Sequence, residues 1–189
     1  GVQVGSRSIF GLDFRMNELT GAVALAQRRK LDSILIHLRE IKKTFKEGIS
    51  SLKNIEFREL PDPDGECATV LTIILPDAET ASAVGDKLGA PVLINSGWHV
   101  YRNMEQLIEM NTSDSTSCPF KCQHYSKNVK YEKGMLPQTE NILSRCINLS
   151  VGLRDKGIGA AWGICPKDTI LDAQKKAEEF KRLVKDIIK

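Results

Sequence analysis

VLTIILPDAETASAVGDKLG, residues 70–89, decides how this chain is read. Val70 to Leu75 is an unbroken apolar run rich in β-branched residues, the pattern of a central strand. Pro76-Asp77 closes that strand and opens a helix over Ala78 to about Leu88, with Gly89 as its stop. Upstream, Ile55 to Arg58 alternates like a half-buried strand, and Pro61-Asp62-Pro63-Asp64-Gly65 is a strong turn signal. Before it, Leu31, Leu35, Leu38, Ile41, Phe45 and Ile49 recur at spacings of three and four. They predict an amphipathic helix that Gly48 weakens and that ends by about Leu52. A first helix begins near Asn17, a good N-cap type, with Glu18 in its first turn. Its small residues Gly21, Ala22, Ala24 and Ala26 suit close packing against another element.

Downstream, Pro91 to Ile94 predicts a short strand and Trp98 to Met110 a short helix. Residues 111–136 have no clear period and read as an excursion loop. A helix follows Pro137, a strand lies around Ile147 to Val151, and Gly157 to Ile164 is rich in glycine. The last helix starts near Asp168, with Leu171, Ala177, Phe180, Val184, Ile187 and Ile188 on its apolar face. This order predicts an α+β fold, helices covering one face of a small antiparallel or mixed sheet. The simplest division is a loop and helical arm over 1–53 and a small α+β domain over 54–189.

Lys and Arg number 27 against 24 Asp and Glu, interleaved, for a net charge of +3, so neither nucleic acid nor an anionic membrane is expected as partner. No apolar run approaches the ~20 residues of a membrane helix. Gly1 to Val4 has neither the basic nor the apolar region of a secretory signal, and Gly1 suggests a tag scar or a start within a longer chain. Five cysteines, odd in number and mostly scattered, suit a reducing cytoplasm better than a disulfide framework.

Residues 11–34, GLDFRMNELTGAVALAQRRKLDSI, carry the most specific pattern. Gly11, Phe14, Arg15, Met16, Asn17, Glu18, Leu19, Ala22, Leu25, Ala26, Gln27, Lys30, Leu31 and Asp32 fit the signature of the DegT-type sugar aminotransferases, which this chain resembles. Ser96-Gly97-Trp98-His99 falls where that family carries a substrate-side His, and Leu136-Pro137-Gln138-Thr139-Glu140 resembles its late helix start. Residues 95–125 look closest to the branch that aminates 8-keto-3-deoxy-octulosonate sugars.

The resemblance implies the C-terminal small domain of a fold-type I enzyme that uses pyridoxal phosphate. It implies a homodimer with active sites between subunits, an amino-acid donor such as glutamate and a keto-sugar acceptor. In that family the lysine that holds the cofactor precedes the signature. No lysine lies upstream of Asp13, so no catalytic residue is assigned, and the chain alone is expected not to transaminate. The rival expectation is a non-catalytic binding module that keeps the small-domain fold. A third is a split enzyme whose other half is a separate chain.

Asp13 stands where the family's usual Asn reaches in trans to the cofactor phosphate. An ionised Asp has no donor and repels a phosphate at close range. Either Asp13 contacts something else through a water, or this branch binds the phosphate differently, or it is a loop carboxylate near a helix N-terminus. Arg15 fits bidentate pairing with a substrate carboxylate or phosphate, or an internal ion pair bracing the loop. His99, beside Trp98 and Tyr101, suits a donor to a sugar hydroxyl with an aromatic face on the ring; the alternative is a partly buried His satisfied by backbone. His37 reads as structural. Cys118, Cys122 and His124 offer three metal-ligand types but no obvious fourth, so two free thiols in a loop are expected and no metal is assigned. Lys42, Lys43, Lys175 and Lys176 read as solvated helix residues. Gly157 to Gly163 lacks the ending of a phosphate loop, and close backbone packing accounts for it better.

Overall fold

The fold is that of a computed structural model, which describes residues 16–96, 100–111, 120 and 131–188. The chain forms two compact units, Gly1–Ile34 and Leu35–Lys189. In the first, Asn17 caps α1 (Glu18–Arg28), its Oδ1 accepting from the Thr20 N–H at 2.7 Å. That bond satisfies one of the donors a helix N-terminus leaves open. No residue of α1 is buried, and Leu19, Val23 and Leu25 stand exposed.

The second unit is built on a three-stranded antiparallel sheet: β1 (Glu56–Phe57), β2 (Val70–Ile74) and β3 (Cys146–Ser150), in that order. Ile73 pairs with Ile147 and Leu71 with Leu149 across the central ladder. Side chains alternate across a strand, so Leu71, Ile73 and Leu75 share one apolar face with Ile147, Leu149 and Val151, all buried. On the alternate face Thr72 Oγ1 donates to Asn148 Oδ1 at 2.7 Å, and Asn148 Nδ2 donates to the Ile158 carbonyl at 2.8 Å. The polar pair is thereby satisfied where it is shielded from water.

The apolar face belongs to a single core with α2 (Leu31–Ile49), α3 (Ala78–Leu88) and α6 (Ile170–Val184). α2 contributes Leu38, Ile41, Phe45 and Ile49, and α6 contributes Ala173, Ala177, Phe180 and Val184, each series at helical spacing. Trp162 lies between them, its ring centroid 6.3 Å from Phe45 and 5.7 Å from Phe180. A Cβ on Gly48 would stand 2.5 Å from that of Ala177, so glycine permits the close approach of α2 and α6. α3 is capped by Asp77 and stopped by Gly89 in the left-handed region, while α6 opens with a capping box between Thr169 and Asp172. α4 (Glu105–Ile108) and α5 (Pro137–Ser144) are short.

Four expectations are corrected. Residues 91–94 are no strand: a 3-10 turn spans Leu93–Asn95, where the Val92 and Leu93 carbonyls accept locally from the Asn95 and Ser96 N–H groups. The helix expected over 98–110 is reduced, among the described residues, to a 3-10 turn at Tyr101–Asn103 and the single turn of α4, ended by Met110 at φ +53. Leu171 is 57% exposed because it falls outside the stripe that runs from Ala173 to Val184. Lys42 is only 5% exposed, since Glu66 folds onto it as an ion-pair partner.

In the glycine-rich segment, Gly163 bridges Ser150 in parallel. The Ser150 N–H donates to Trp162 and Ile164 donates back to Ser150. At Gly163 φ is +144, and a Cβ would lie 2.3 Å from the Ser150 carbonyl oxygen. Close backbone packing is therefore what this glycine serves. Gly163→Ala is expected to cost about 3 kcal/mol or more in urea unfolding. Gly89→Ala, at φ +63 with nothing within 4 Å, is expected to cost only about 1–2 kcal/mol. Equal losses would contradict the account.

Candidate functional site

Asp13, Arg15, Trp98 and His99, the residues singled out from the sequence, lie outside the described residues, as do Cys118, Cys122 and His124. What is described is the frame on either side of Trp98 and His99. Ser96 and Val100 are buried. Asn103 Nδ2 donates to the Ile94 and Ser96 carbonyls, both at 2.9 Å. One amide group thus binds the approach to the segment back onto the turn that follows it.

Tyr101 and Arg102 on that turn meet Glu140, which α5 presents one turn after Pro137 at its first position. Proline suits that place because its missing N–H would be unpaired there anyway. Glu140 Oε1 accepts from the Tyr101 hydroxyl at 2.5 Å and from the Gly134 N–H at 2.6 Å. Its Oε2 accepts from Arg102 Nη1 at 2.8 Å. The Tyr101 oxygen in turn accepts from the Leu136 N–H at 3.3 Å. The Tyr101 hydroxyl, then the Gly134 N–H and the Arg102 charge hold the Glu140 carboxyl below the ordinary carboxylate range. Beside this cluster Arg102, Asn103, Glu105, Ile108, Glu109 and Lys133 line an open groove of about 340 Å³.

In sequence, Tyr101 is a near neighbour of His99 and Glu140 belongs to a helix start. Their meeting joins residues 39 apart, which no local pattern announces. Among the described residues no three His, Cys, Asp or Glu side chains come together as a metal site. Phe120, between the two loop cysteines, packs edge-on against Tyr131 at 5.7 Å.

A pyridoxal phosphate site needs a free lysine amine, a carboxylate and an aromatic face around a cavity of adequate size. Among the described residues, a cleft that gathers such side chains, Lys42, Phe57 and Glu66 among them, has a volume of about 180 Å³. That is below the roughly 300–1,000 Å³ typical of ligand pockets. Lys42 is also paired with Glu66. The cleft does not fit the cofactor, and no step through the cofactor is derived from it.

Residues 2–154 match the DegT/DnrJ/EryC1/StrS aminotransferase family. The match takes in the 11–34 signature, the sheet and the Tyr101–Glu140 cluster.

Because the folded Glu140 carboxyl titrates below its unfolded value, its contribution to stability is present above the unfolded value. It is lost as pH falls through the folded one. Glu140→Gln is therefore expected to be less stable than wild type at pH 7 and to show a flatter fall of stability between neutral and acid pH. Identical pH profiles for the two proteins would contradict this role.

Proposed function

The chain belongs to the DegT/DnrJ/EryC1/StrS aminotransferase family, and from that premise we propose that it serves the transfer of an amino group from glutamate to a keto-sugar. Enzymes of this family use pyridoxal phosphate, which when bound supplies the electron sink for transamination. The observation that carries the proposal is the match over residues 2–154, with the polar frame of Asn103, Tyr101, Arg102 and Glu140 built in part on the residues that follow Trp98 and His99 in sequence. In this reading His99 donates to a sugar hydroxyl, Trp98 offers a ring face, and Arg15 pairs with a substrate carboxylate. The sugar is of the 8-keto-3-deoxy-octulosonate class, and the setting is cytoplasmic.

Residues 1–53 act as signature loop and helical arm and 54–189 as the small domain. The partner is a second copy of the subunit, with Asp13 near the cofactor phosphate in trans. The exposed Leu19, Val23 and Leu25 of α1 support a protein partner for that helix. The cofactor's lysine is not among this chain's lysines. Support for that reading comes from Lys42, paired with Glu66, and Lys176, bonded to Glu179 at 2.8 Å and set 4.7 Å over the Trp162 ring. The same observations favour the alternative of a non-catalytic module.

Treating this chain with pyridoxal phosphate and then borohydride is expected to leave no lysine modified one-to-one. A single stoichiometric adduct would contradict the assignment. In the full subunit, nitrogen-15 from labelled glutamate is expected to appear on the keto-sugar. His99→Ala should lower kcat/KM for the sugar about tenfold or more while leaving KM for glutamate unchanged. Label that reaches only 2-keto acids, with no sugar aminated, would refute the acceptor class and favour another acceptor or the non-catalytic reading.

A further inference from the structure

We propose that the cleft between α2 and the β1–β2 edge binds a small, multiply charged oxyanion of the phosphate type. On α2, Arg39, Lys42, Lys43 and Lys46 recur at spacings of three and four, so they share one side of the helix. Arg58, just after β1, lines the same cleft from across it. The lining thus carries five cationic side chains against one carboxylate, Glu66.

That carboxylate is already spent. Lys42, nine-tenths buried, pairs with Glu66, and Arg39 Nε donates to the Glu66 backbone carbonyl at 2.8 Å. The Arg39 bond fixes the guanidinium plane while its two Nη groups have no hydrogen-bond partner among the described residues. Lys46 sits 5.0 Å over the Phe57 ring, and the Arg58 side chain has no hydrogen bond or ion pair among the described residues. Lys43 reaches only Glu47, at 4.0 Å and in open solvent.

Arg39, Lys46 and Arg58, none of them in an ion pair among the described residues, therefore line a cleft that Phe57, Leu60, Val70 and Leu71 also line. An apolar lining lowers the local dielectric, which sharpens both their mutual repulsion and their attraction for an anion. Guanidinium forks match the oxygens of phosphate in pairs, and a lysine adds a point charge. The cleft's space, about 180 Å³, has room for an oxyanion of this size. The cleft shares no lining residue with the Tyr101–Glu140 cluster, so the proposal stands apart from the reading of the family reaction.

The test is titration calorimetry of the 189-residue chain with inorganic phosphate, ionic strength held constant with chloride, and with citrate as a second arm. One saturable phosphate site per chain is expected, with citrate weaker. The double variant Arg39→Gln/Arg58→Gln should bind at least tenfold more weakly, while Lys87→Gln, on α3, should bind as wild type. Circular dichroism of the double variant without phosphate checks its fold. Should it be unfolded, Lys46→Gln replaces it, with a weakening of several-fold expected. Chemical shift changes on phosphate addition should centre on the Arg39 Nε–H. Absence of saturable binding, binding retained in the variant, or preference for citrate over phosphate would each overturn the proposal.

Discussion

Leu71, Ile73 and Leu75 of β2 and Ile147, Leu149 and Val151 of β3 present one apolar face, and the rest of the second unit is arranged to cover it. Each large aliphatic side chain removed from water contributes about 1.5–3 kcal/mol, offset in part by the entropy of ordering the chain. α2 and α6 supply the cover through Phe45 and Phe180, with Trp162 between them. That demand sets the small details. Gly48 stands where α2 meets Ala177, and Gly163 lies against the Ser150 backbone, because each contact leaves no room for a Cβ. On the alternate face Thr72 and Asn148 pair with each other, and Asn148 also bonds the Ile158 carbonyl.

The site frame rests on a different kind of interaction. One Glu140 carboxylate gathers a hydroxyl, a guanidinium and a backbone N–H from two chain segments, 101–102 and 134. An ionised carboxylate has enough lone pairs to accept all three, and each bond favours its charged form. Through it α5 is tied to the turn that follows Trp98 and His99, while Asn103 binds back the residues that precede them. Glu140 thereby organises this frame.

Much of the fold was legible because its signals are local. The apolar run of β2, the Asp77 cap and Gly89 stop of α3, and the Asn17 cap of α1 are written within a few residues of the elements they bound. The family was legible for the same reason, since its signature is one stretch. Residues 91–94 misled because a short apolar run fits a strand as well as a 3-10 turn, and only the local carbonyl bonds decide. Lys42 looked solvated because its partner Glu66 lies 24 residues on. Glu140 was legible as a helix residue but not as a hub, its side-chain partners Tyr101 and Arg102 being 39 and 38 residues away. Those pairings come from the folded path of the chain, which a periodicity does not encode.

Amide hydrogen exchange at Gly134 and Leu136 tests the claim about Glu140 most directly. The Gly134 N–H donates to Glu140 and the Leu136 N–H to the Tyr101 oxygen that Glu140 holds. In wild type both amides are expected to be protected well above an open loop. In Glu140→Ala both should approach free exchange while the β2–β3 ladder amides keep their protection. Unchanged exchange at Gly134 and Leu136 in that variant would contradict the account.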